Sequence, residues 1–214
     1  MSDPRDHLCL ALDTADADEA RRMADLVGDS IRWHKVGSAL AVQGGEALIK
    51  DLKEAGKKVF LDYKFHDIDQ TVANAVSGAI RLGVDLLTVH AVVPVVRAAA
   101  KAKGDTATKI VAVTVLTSMD ESDLEAEGWH EGAAALVRSR AQNAINAGAD
   151  GVVASAQEAK MLRDLLNPSA FIVTPGIRPA GGEAQDQKRI STPASAISDG
   201  SNLLVVGRPI LQAP

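Results

Sequence analysis

Residues 59–68 carry the stretch from which both the fold and the chemistry can be argued, Val59-Phe60-Leu61-Asp62-Tyr63-Lys64-Phe65-His66-Asp67-Ile68. It begins as an uninterrupted apolar run, which is typical of a strand buried on both faces of a parallel sheet. Asp62 and Lys64 are two residues apart, so on a strand they share a face, and Asp67 follows where the strand becomes a loop. These charges are costly to desolvate unless they pair. They therefore form either a structural ion network or a catalytic site.

Apolar runs of this kind alternate with helix-patterned segments along the whole chain. Strands are predicted at residues 8–12, 31–36, 59–64, 86–89, 110–116, 151–154, 171–173 and 203–206. Helices are predicted at residues 16–27, 39–55, 70–82, 93–103, 132–147, 157–166 and 193–199. This alternation predicts an α/β fold with a parallel sheet covered by helices, and eight strands can close a barrel.

The rival fold is a doubly wound open sheet, which favours a Gly-rich turn after its first strand. Here that turn reads Asp13-Thr14-Ala15-Asp16. We therefore predict a single (β/α)8 TIM barrel that forms one catalytic domain over residues 1–214. Few residues follow the eighth strand, so the eighth helix is predicted to be short or missing.

The composition narrows the class of protein. Of 214 residues, 46% are hydrophobic and 24% are charged, which is typical of one globular domain with a large core. The net charge of -5 argues against a nucleic-acid-binding surface. The chain lacks both a membrane-length apolar run and the apolar core of a signal peptide. The single Cys9 excludes an intramolecular disulfide and a Cys-based metal cluster, and we expect a cytoplasmic protein in which Cys9 is a buried hydrophobe.

Polar residues collect at the predicted C-terminal ends of the strands, where the site of a (β/α)8 barrel lies. They are Asp13, Lys35, Asp62, Lys64, Asp67, His90, Ser118 and Arg208. Taken alone, Asp13 is as well explained as a helix cap, and His90 is more often a structural histidine. His34 and His66 are expected to be structural or to support the site residues from behind. The convergence of so many polar residues from six strands nevertheless favours a functional site.

Lys64 bears on the alternative use of the acidic residues as metal ligands. Its ammonium lies between Asp62 and Asp67 and already supplies a positive charge, so a metal ion would compete with it. An ammonium flanked by carboxylates should stay protonated. That property suits a general acid that delivers a proton, and it does not suit a base or a Schiff-base nucleophile.

The ends of the last two strands predict a phosphate site. Residues 174–182 form a Gly-containing loop that is long enough to be a lid. Gly207 offers a backbone N–H beside the guanidinium of Arg208, and the loops after strands seven and eight are the usual phosphate site of such a barrel.

Over nearly its whole length the chain resembles the orotidine 5'-phosphate decarboxylase family. The Asp-x-Lys-x-x-Asp core at residues 62–67 occurs in a wider group of barrel enzymes, but Phe65 and His66 within it make the match more specific. The other matching segments are Leu10-Ala11-Leu12-Asp13, His34-Lys35-Val36-Gly37, Thr71-Val72, Thr88-Val89-His90-Ala91, Leu116-Thr117-Ser118-Met119, Thr174-Pro175-Gly176-Ile177-Arg178-Pro179 and Val206-Gly207-Arg208-Pro209.

The resemblance implies decarboxylation of orotidine 5'-phosphate to uridine 5'-phosphate without a metal or organic cofactor. Lys64 would protonate C6 of the pyrimidine within a charged network whose members are Lys35, Asp62, Lys64 and Asp67. It also implies a homodimer in which Asp67, Ile68 and Thr71 cross into the partner's site. The remaining roles would be ribose binding by Asp13 and Lys35, pyrimidine contact by Ser118, and phosphate binding by Gly207 and Arg208 under the loop that carries Pro175 and Arg178.

The chain departs from the family pattern at two positions. Asp69 stands where the family often has Pro, and we expect it to act as a helix N-cap. Ala180 stands where the loop commonly carries a phosphate-binding Gln. Either Gln185 or Gln187 substitutes for it, or phosphate binding is weaker, or the position is engineered. We expect weaker substrate binding with the proton chemistry intact, so that Ala180→Gln raises kcat/KM.

Two other functions remain open from the sequence. Mg²⁺-dependent sugar-phosphate enzymes of the same barrel group, 3-keto-gulonate-phosphate decarboxylase and hexulose-phosphate synthase, share the Asp-x-Lys-x-x-Asp core. A non-catalytic barrel that binds phosphoribosyl ligands is the alternative from a different class. Sensitivity to a chelator separates the first alternative, and release of carbon dioxide separates the second.

Overall fold

The computed structural model describes residues 3–178 and 191–213. Its eight parallel strands form one closed barrel in sequence order, with β8 paired back onto β1. The strands are β1 Leu8–Ala11, β2 Trp33–Gly37, β3 Lys58–Phe65, β4 Leu86–His90, β5 Lys109–Val113, β6 Gly151–Val153, β7 Phe171–Thr174 and β8 Leu203–Val206. The predicted barrel is confirmed, and strand boundaries differ from the predicted ones by at most three residues.

Helices cover the outside of the barrel. They are α1 Ala17–Val27, α2 Ser38–Ala41, α3 Gly45–Glu54, α4 Asp69–Arg81, α5 Val93–Lys103, α6 Glu121–Ala126, α7 Ala133–Asn146, α8 Ala156–Leu165, α9 Pro193–Ser198 and α10 Arg208–Leu211. The helix after β8, α10, is a single turn, in agreement with the predicted short eighth helix. Within the described residues, no helix has the length and apolarity needed to cross a membrane.

Two helix predictions needed correction. The continuous helix predicted at residues 39–55 is wrong, because the chain breaks into α2 and α3 at Gly44, whose φ is +88°. Gly45 follows, where a Cβ atom would lie 2.7 Å from the Leu40 carbonyl oxygen and 2.8 Å from the Tyr63 hydroxyl. Asp69 is the first residue of α4 and not its N-cap, which is Ile68.

Two apolar layers define the direction of each side chain. Residues that point into the barrel pack as one cluster, and further clusters fill the space between strands and helices. Trp33 and Phe60 belong to the inner cluster, so the next inward residues on their strands are Lys35 and Asp62. The fold thus places these two charges above the inner core, at the C-terminal end of the barrel. Cys9 is fully buried in the inner cluster, as predicted.

Candidate active site

A cavity of about 540 Å³ opens at the C-terminal ends of the strands. Ala11, Phe60, Val113, Val153 and Val205 supply apolar lining. The polar and loop residues that line it include most of the predicted site, namely Asp13, Lys35, Asp62, Lys64, Ser118, Pro175, Arg178, Gly207 and Arg208. The structure therefore brings together residues from β1, β2, β3 and the loops after β5, β7 and β8.

A chain of alternating charges runs along one wall of this cavity. The Lys35 Nζ lies 2.9 Å from Asp13 Oδ1 and 3.3 Å from Asp62 Oδ2. The Lys64 Nζ lies 2.9 Å from the other oxygen of Asp62, Oδ1. Asp13 thus pairs with Lys35, and the N-cap of α1 is Asp16. Asp13 therefore belongs to this chain of charges and is not the N-cap of α1.

Burial sets the electrostatics of the two central groups, whose side chains are 10% exposed for Lys35 and 13% for Asp62. Burial alone would raise the pKa of the Asp62 carboxyl, but the charges of Lys35 and Lys64 outweigh it and hold that pKa below its usual value. Burial would lower the pKa of Lys35, but Asp62 and Asp13 hold it above its usual value. Both groups are therefore ionised at neutral pH, and each is the reason that the other can remain charged in a buried place.

The backbone that carries Lys64 is irregular. Lys64 has a φ of +49° and is the only non-glycine residue with positive φ in the described part of the chain. The register between β3 and β4 shifts between Leu61 and Phe65, so β3 bulges at this point. Asp62 and Lys64 do meet, as their spacing predicts, but simple strand alternation is not what brings them together.

Asp67, Ile68 and Thr71 lie outside the main cavity of their own chain. Ile68 is 73% exposed, and Asp67 and Thr71 are also exposed. Asp67 and Thr71 line a second hollow of about 280 Å³ on the other side of Lys64, together with Tyr63, Phe65, His66, Val72 and Ala75. Asp67 Oδ1 accepts a hydrogen bond from the Ile68 N–H at 2.7 Å. These residues do not join the charged wall within one chain.

The predicted strand-end histidine His90 is also absent from the lining of the cavity. Its ring packs against His66 at a centroid distance of 5.2 Å. Burial, followed by the charges of His66, Lys64 and Arg140, holds the pKa of His90 below its usual value. His34 is fully buried among outward-facing strand residues, and burial lowers its pKa to about 4.

The ends of β7 and β8 form the opposite wall of the cavity. Arg178 is buried there, its Nη1 donates to the Ile177 carbonyl at 2.9 Å, and its backbone N–H donates to the Ser191 carbonyl. Gly207 follows β8 beside Ala11, and a Cβ atom there would lie 3.5 Å from the Ala11 Cβ, an ordinary van der Waals contact. The sequence analysis placed Ala180 at the position of a phosphate-binding Gln and named Gln185 or Gln187 as its substitute. These three positions lie outside the described residues.

Two residues that the sequence analysis gave no role contact the charged wall. A Cβ atom at Gly37 would lie 3.1 Å from Asp13 Oδ1 and 3.3 Å from Lys35 Nζ, so a side chain there would crowd this pair. Thr88 in β4 donates its hydroxyl hydrogen to Asp62 Oδ1 at 3.0 Å. The signal for Thr88 was its place as a hydroxyl residue within the otherwise apolar run of residues 86–89.

A metal site would need several acidic or histidine side chains close together. Among residues 3–178 and 191–213, no three His, Cys, Asp or Glu side chains are grouped as they would be around a metal ion. Asp62 faces the main cavity, whereas Asp67 lines the second hollow. The positive charges that Asp62 contacts are those of Lys35 and Lys64.

Comparison with known proteins identifies the family of this chain. Orotidine 5'-phosphate decarboxylase of Rhodopseudomonas palustris strain HaA2 is 50% identical over 100% of this chain and 92% of its own length. The enzyme of that name from Methylobacterium sp. strain 4-46 is 49% identical, with 98% of this chain and 90% of that protein covered. The crystal structure of orotidine 5'-phosphate decarboxylase from Lactobacillus acidophilus matches with a TM-score of 0.84 and 35% identity, covering 97% of this chain and 92% of that one. The family model described as Orotidine 5'-phosphate decarboxylase / HUMPS family matches residues 6–214, and the chain belongs to this family.

Proposed function

We propose that this protein decarboxylates orotidine 5'-phosphate to uridine 5'-phosphate, the last step of pyrimidine nucleotide synthesis. The observation that carries the proposal is the pairing of Lys64 with Asp62 at 2.9 Å, with Lys35 on the other oxygen of the same carboxylate. An ammonium held beside a buried carboxylate at the mouth of a barrel can supply both positive charge and a proton. The relatives that are half identical to this chain carry the name of this enzyme.

The cavity has polar groups suited to each part of the substrate. Asp13 and Lys35 would bind the ribose hydroxyls, and Ser118 would contact the pyrimidine. At the opposite wall, Gly207 and Arg208 would bind the phosphate, with Pro175 and Arg178 at the base of the loop. A guanidinium beside backbone N–H groups suits the geometry of a phosphate dianion.

The reaction then follows from the charges. With the substrate carboxylate near Asp62, the bond between C6 and the carboxyl carbon breaks, carbon dioxide leaves, and the electron pair stays on C6. The Lys64 ammonium stabilises the negative charge that develops on C6 in the transition state, whereas C6 is neutral in the ground state and gains little from the ammonium. A proton then passes from Lys64 Nζ to C6, and Lys64 recovers a proton from solvent. Phosphate binding far from C6 contributes binding energy that can favour the closed, reactive state.

We further propose that the working unit is a homodimer in which Asp67, Ile68 and Thr71 enter the partner's site. Their exposure and their position outside the main cavity support this arrangement. A second carboxylate on the far side of the partner's Lys64 would complete a Lys-Asp-Lys-Asp network of alternating charge.

In this scheme the chain acts as one catalytic domain over residues 1–214, and neither a metal ion nor an organic cofactor takes part. The buried, unpaired thiol of Cys9 fits a cytoplasmic location.

The direct test is the loss of orotidine absorbance when enzyme is added to orotidine 5'-phosphate, with and without EDTA. Turnover that is unchanged by EDTA is the expected result. Turnover that EDTA abolishes would instead indicate the Mg²⁺-dependent chemistry of the sister enzymes. Binding of uridine 5'-phosphate without release of carbon dioxide from orotidine 5'-phosphate would indicate a non-catalytic binding protein.

A further inference from the structure

The hydroxyl group of Thr88 links the two strands that build the charged wall. Thr88 is fully buried in β4, beside the bulge of β3. Its Oγ1 accepts a hydrogen bond from the backbone N–H of Lys64 at 2.8 Å and donates one to Asp62 Oδ1 at 3.0 Å. One hydroxyl therefore bonds the main chain of the proposed proton donor and the carboxylate that pairs with that donor.

The bond to the Lys64 N–H matters because of the backbone conformation at that residue. A positive φ is disfavoured for a residue with a Cβ atom, and it persists only when the surroundings fix it. In a regular parallel ladder the N–H groups of β3 would bond to carbonyl groups of a neighbouring strand, but here the register shifts between Leu61 and Phe65. The Thr88 hydroxyl takes the place of such a carbonyl and holds the strained conformation.

The bond to Asp62 fixes the other member of the pair. Asp62 Oδ1 accepts from both Lys64 Nζ and the Thr88 hydroxyl, while Oδ2 lies 3.3 Å from Lys35. A carboxylate with both oxygens engaged has little freedom to rotate. Thr88 thus positions Lys64 at two points. It bonds the backbone N–H of Lys64 directly, and it acts on the Lys64 ammonium through Asp62.

We propose that Thr88 is a positioning residue that holds the Lys64 ammonium and the Asp62 carboxylate in their reactive arrangement through its hydroxyl group. The inference rests on the proposed role of Lys64 as proton donor. Volume alone does not explain the residue, because a valine of the same shape would fill this place in an apolar strand without burying a hydroxyl. Thr88 itself is absent from the lining of the cavity, so it acts through its two partners.

The central experiment compares Thr88→Val, which removes the hydroxyl, with Thr88→Ser, which keeps it. Loss of a hydrogen bond to a charged group should lower kcat about 10- to 100-fold in Thr88→Val, while the Kd for uridine 5'-phosphate changes less than about twofold. Thr88→Ser should restore most of kcat. Thr108→Val is the matched control, because Thr108 is also buried and donates its hydroxyl hydrogen to a carbonyl group, that of Val84 at 2.8 Å, at the other end of the barrel.

The pH profile gives a readout that a merely structural role would not change. The charges of Lys35 and Lys64 lower the pKa of Asp62 most strongly, and the Thr88 hydrogen bond lowers it by a smaller amount. The acid limb of kcat should therefore move to higher pH in Thr88→Val and stay in place in Thr88→Ser and Thr108→Val. If Thr88→Val does not fold, Thr88→Ala and Thr88→Ser give the same contrast, because they also differ by one hydroxyl.

Each outcome separates this inference from the proposed function. A wild-type kcat and acid limb in Thr88→Val would overturn the positioning role, and so would an equal loss of kcat in Thr88→Ser. A Lys64→Ala variant is measured alongside. If Lys64→Ala turns over like wild type, the proton-donor role fails; if it is inactive while Thr88→Val is fully active, the role of Thr88 alone fails.

Discussion

The two ends of the stretch at residues 62–71 differ in burial and in pairing. At one end, the Asp62 side chain is 13% exposed and contacts Lys35, Lys64 and Thr88 within its own chain. At the other end, Ile68 is 73% exposed, and within the described residues the Asp67 carboxylate accepts a hydrogen bond only from the Ile68 N–H. One short segment thus supplies both the most strongly paired carboxylate of the cavity and a carboxylate that lies outside it.

This difference shows which half of the motif a single chain can explain. The ion pairs of Asp62 compensate for its burial, and Asp62 lines the main cavity. Contacts within one chain do not explain why Ile68 is exposed beside the exposed Asp67, because burial of an isoleucine side chain would stabilise the protein. A second subunit that covers this end would explain both features.

Removal of the proposed proton donor should give the largest effect. Lys64→Ala removes both the positive charge beside C6 and the transferable proton, so kcat should fall at least about 10⁴-fold. Binding of uridine 5'-phosphate should remain measurable by calorimetry, since the ribose and phosphate groups keep their contacts. Lys160→Ala, at an exposed lysine of α8, is the control and should keep full activity. A Lys64→Ala variant with wild-type kcat would remove the basis of the mechanism.

A mixed dimer tests whether Asp67 serves the partner's site. Asp67→Asn and Lys64→Ala homodimers should each be nearly inactive. When the two variants are refolded together, a mixed dimer has one site with an intact Lys64 and an intact partner Asp67. Random pairing makes half of the dimers mixed, so about a quarter of the wild-type activity per site should return. Asp69→Asn, at the neighbouring exposed carboxylate, should stay active by itself. If both homodimers are inactive and the mixture is inactive too, Asp67 acts within its own chain; an active Asp67→Asn homodimer would show that Asp67 has no catalytic role.

A pH experiment compares Asp62, which is buried in ion pairs, with His34, which is buried without an ion-pair partner. Both ring nitrogens of His34 are buried, and burial lowers its pKa to about 4. The unfolded chain therefore binds a proton below about pH 6.5 that the folded chain rejects, and stability falls as the pH drops from there towards 4. Asp62 has a pKa below its usual value, so its loss of stabilising charge comes only at lower pH.

The free energy of unfolding should consequently decrease by about 2 kcal/mol between pH 7 and pH 5 through His34 alone. Denaturant unfolding of wild type and His34→Leu at both pH values measures this contribution, and His130→Leu, at an exposed histidine, is the control. The difference between the two pH values should shrink in His34→Leu and persist in His130→Leu. Equal pH dependence in all three proteins would contradict the assignment.

The sequence predicted those features that depend on the chemistry of residues close together along the chain. Continuous apolar runs predicted the barrel strands, and charges at strand ends predicted the wall formed by Asp13, Lys35, Asp62 and Lys64. The break of the helix at Gly44 was missed, as was the close approach of Gly45 to Tyr63, which is distant in sequence. The contacts of Thr88 with Asp62 and Lys64 were also missed, because a register shift between two strands is not visible in either strand alone.

The smallest predicted effect concerns the exposed end of the comparison. If Ile68 is buried against a second subunit, Ile68→Ser should weaken the dimer by about 1–2 kcal/mol, which raises its Kd roughly tenfold. Sedimentation equilibrium over a range of protein concentrations measures this Kd. Leu26→Ser is a matched control, because Leu26 is 77% exposed but lies at the C-terminal end of α1, which the barrel geometry places away from the active-site end. An unchanged Kd for Ile68→Ser, or an equal change for Leu26→Ser, would place the subunit contact elsewhere and leave the exposure of Ile68 to be explained by substrate or loop contacts of its own chain.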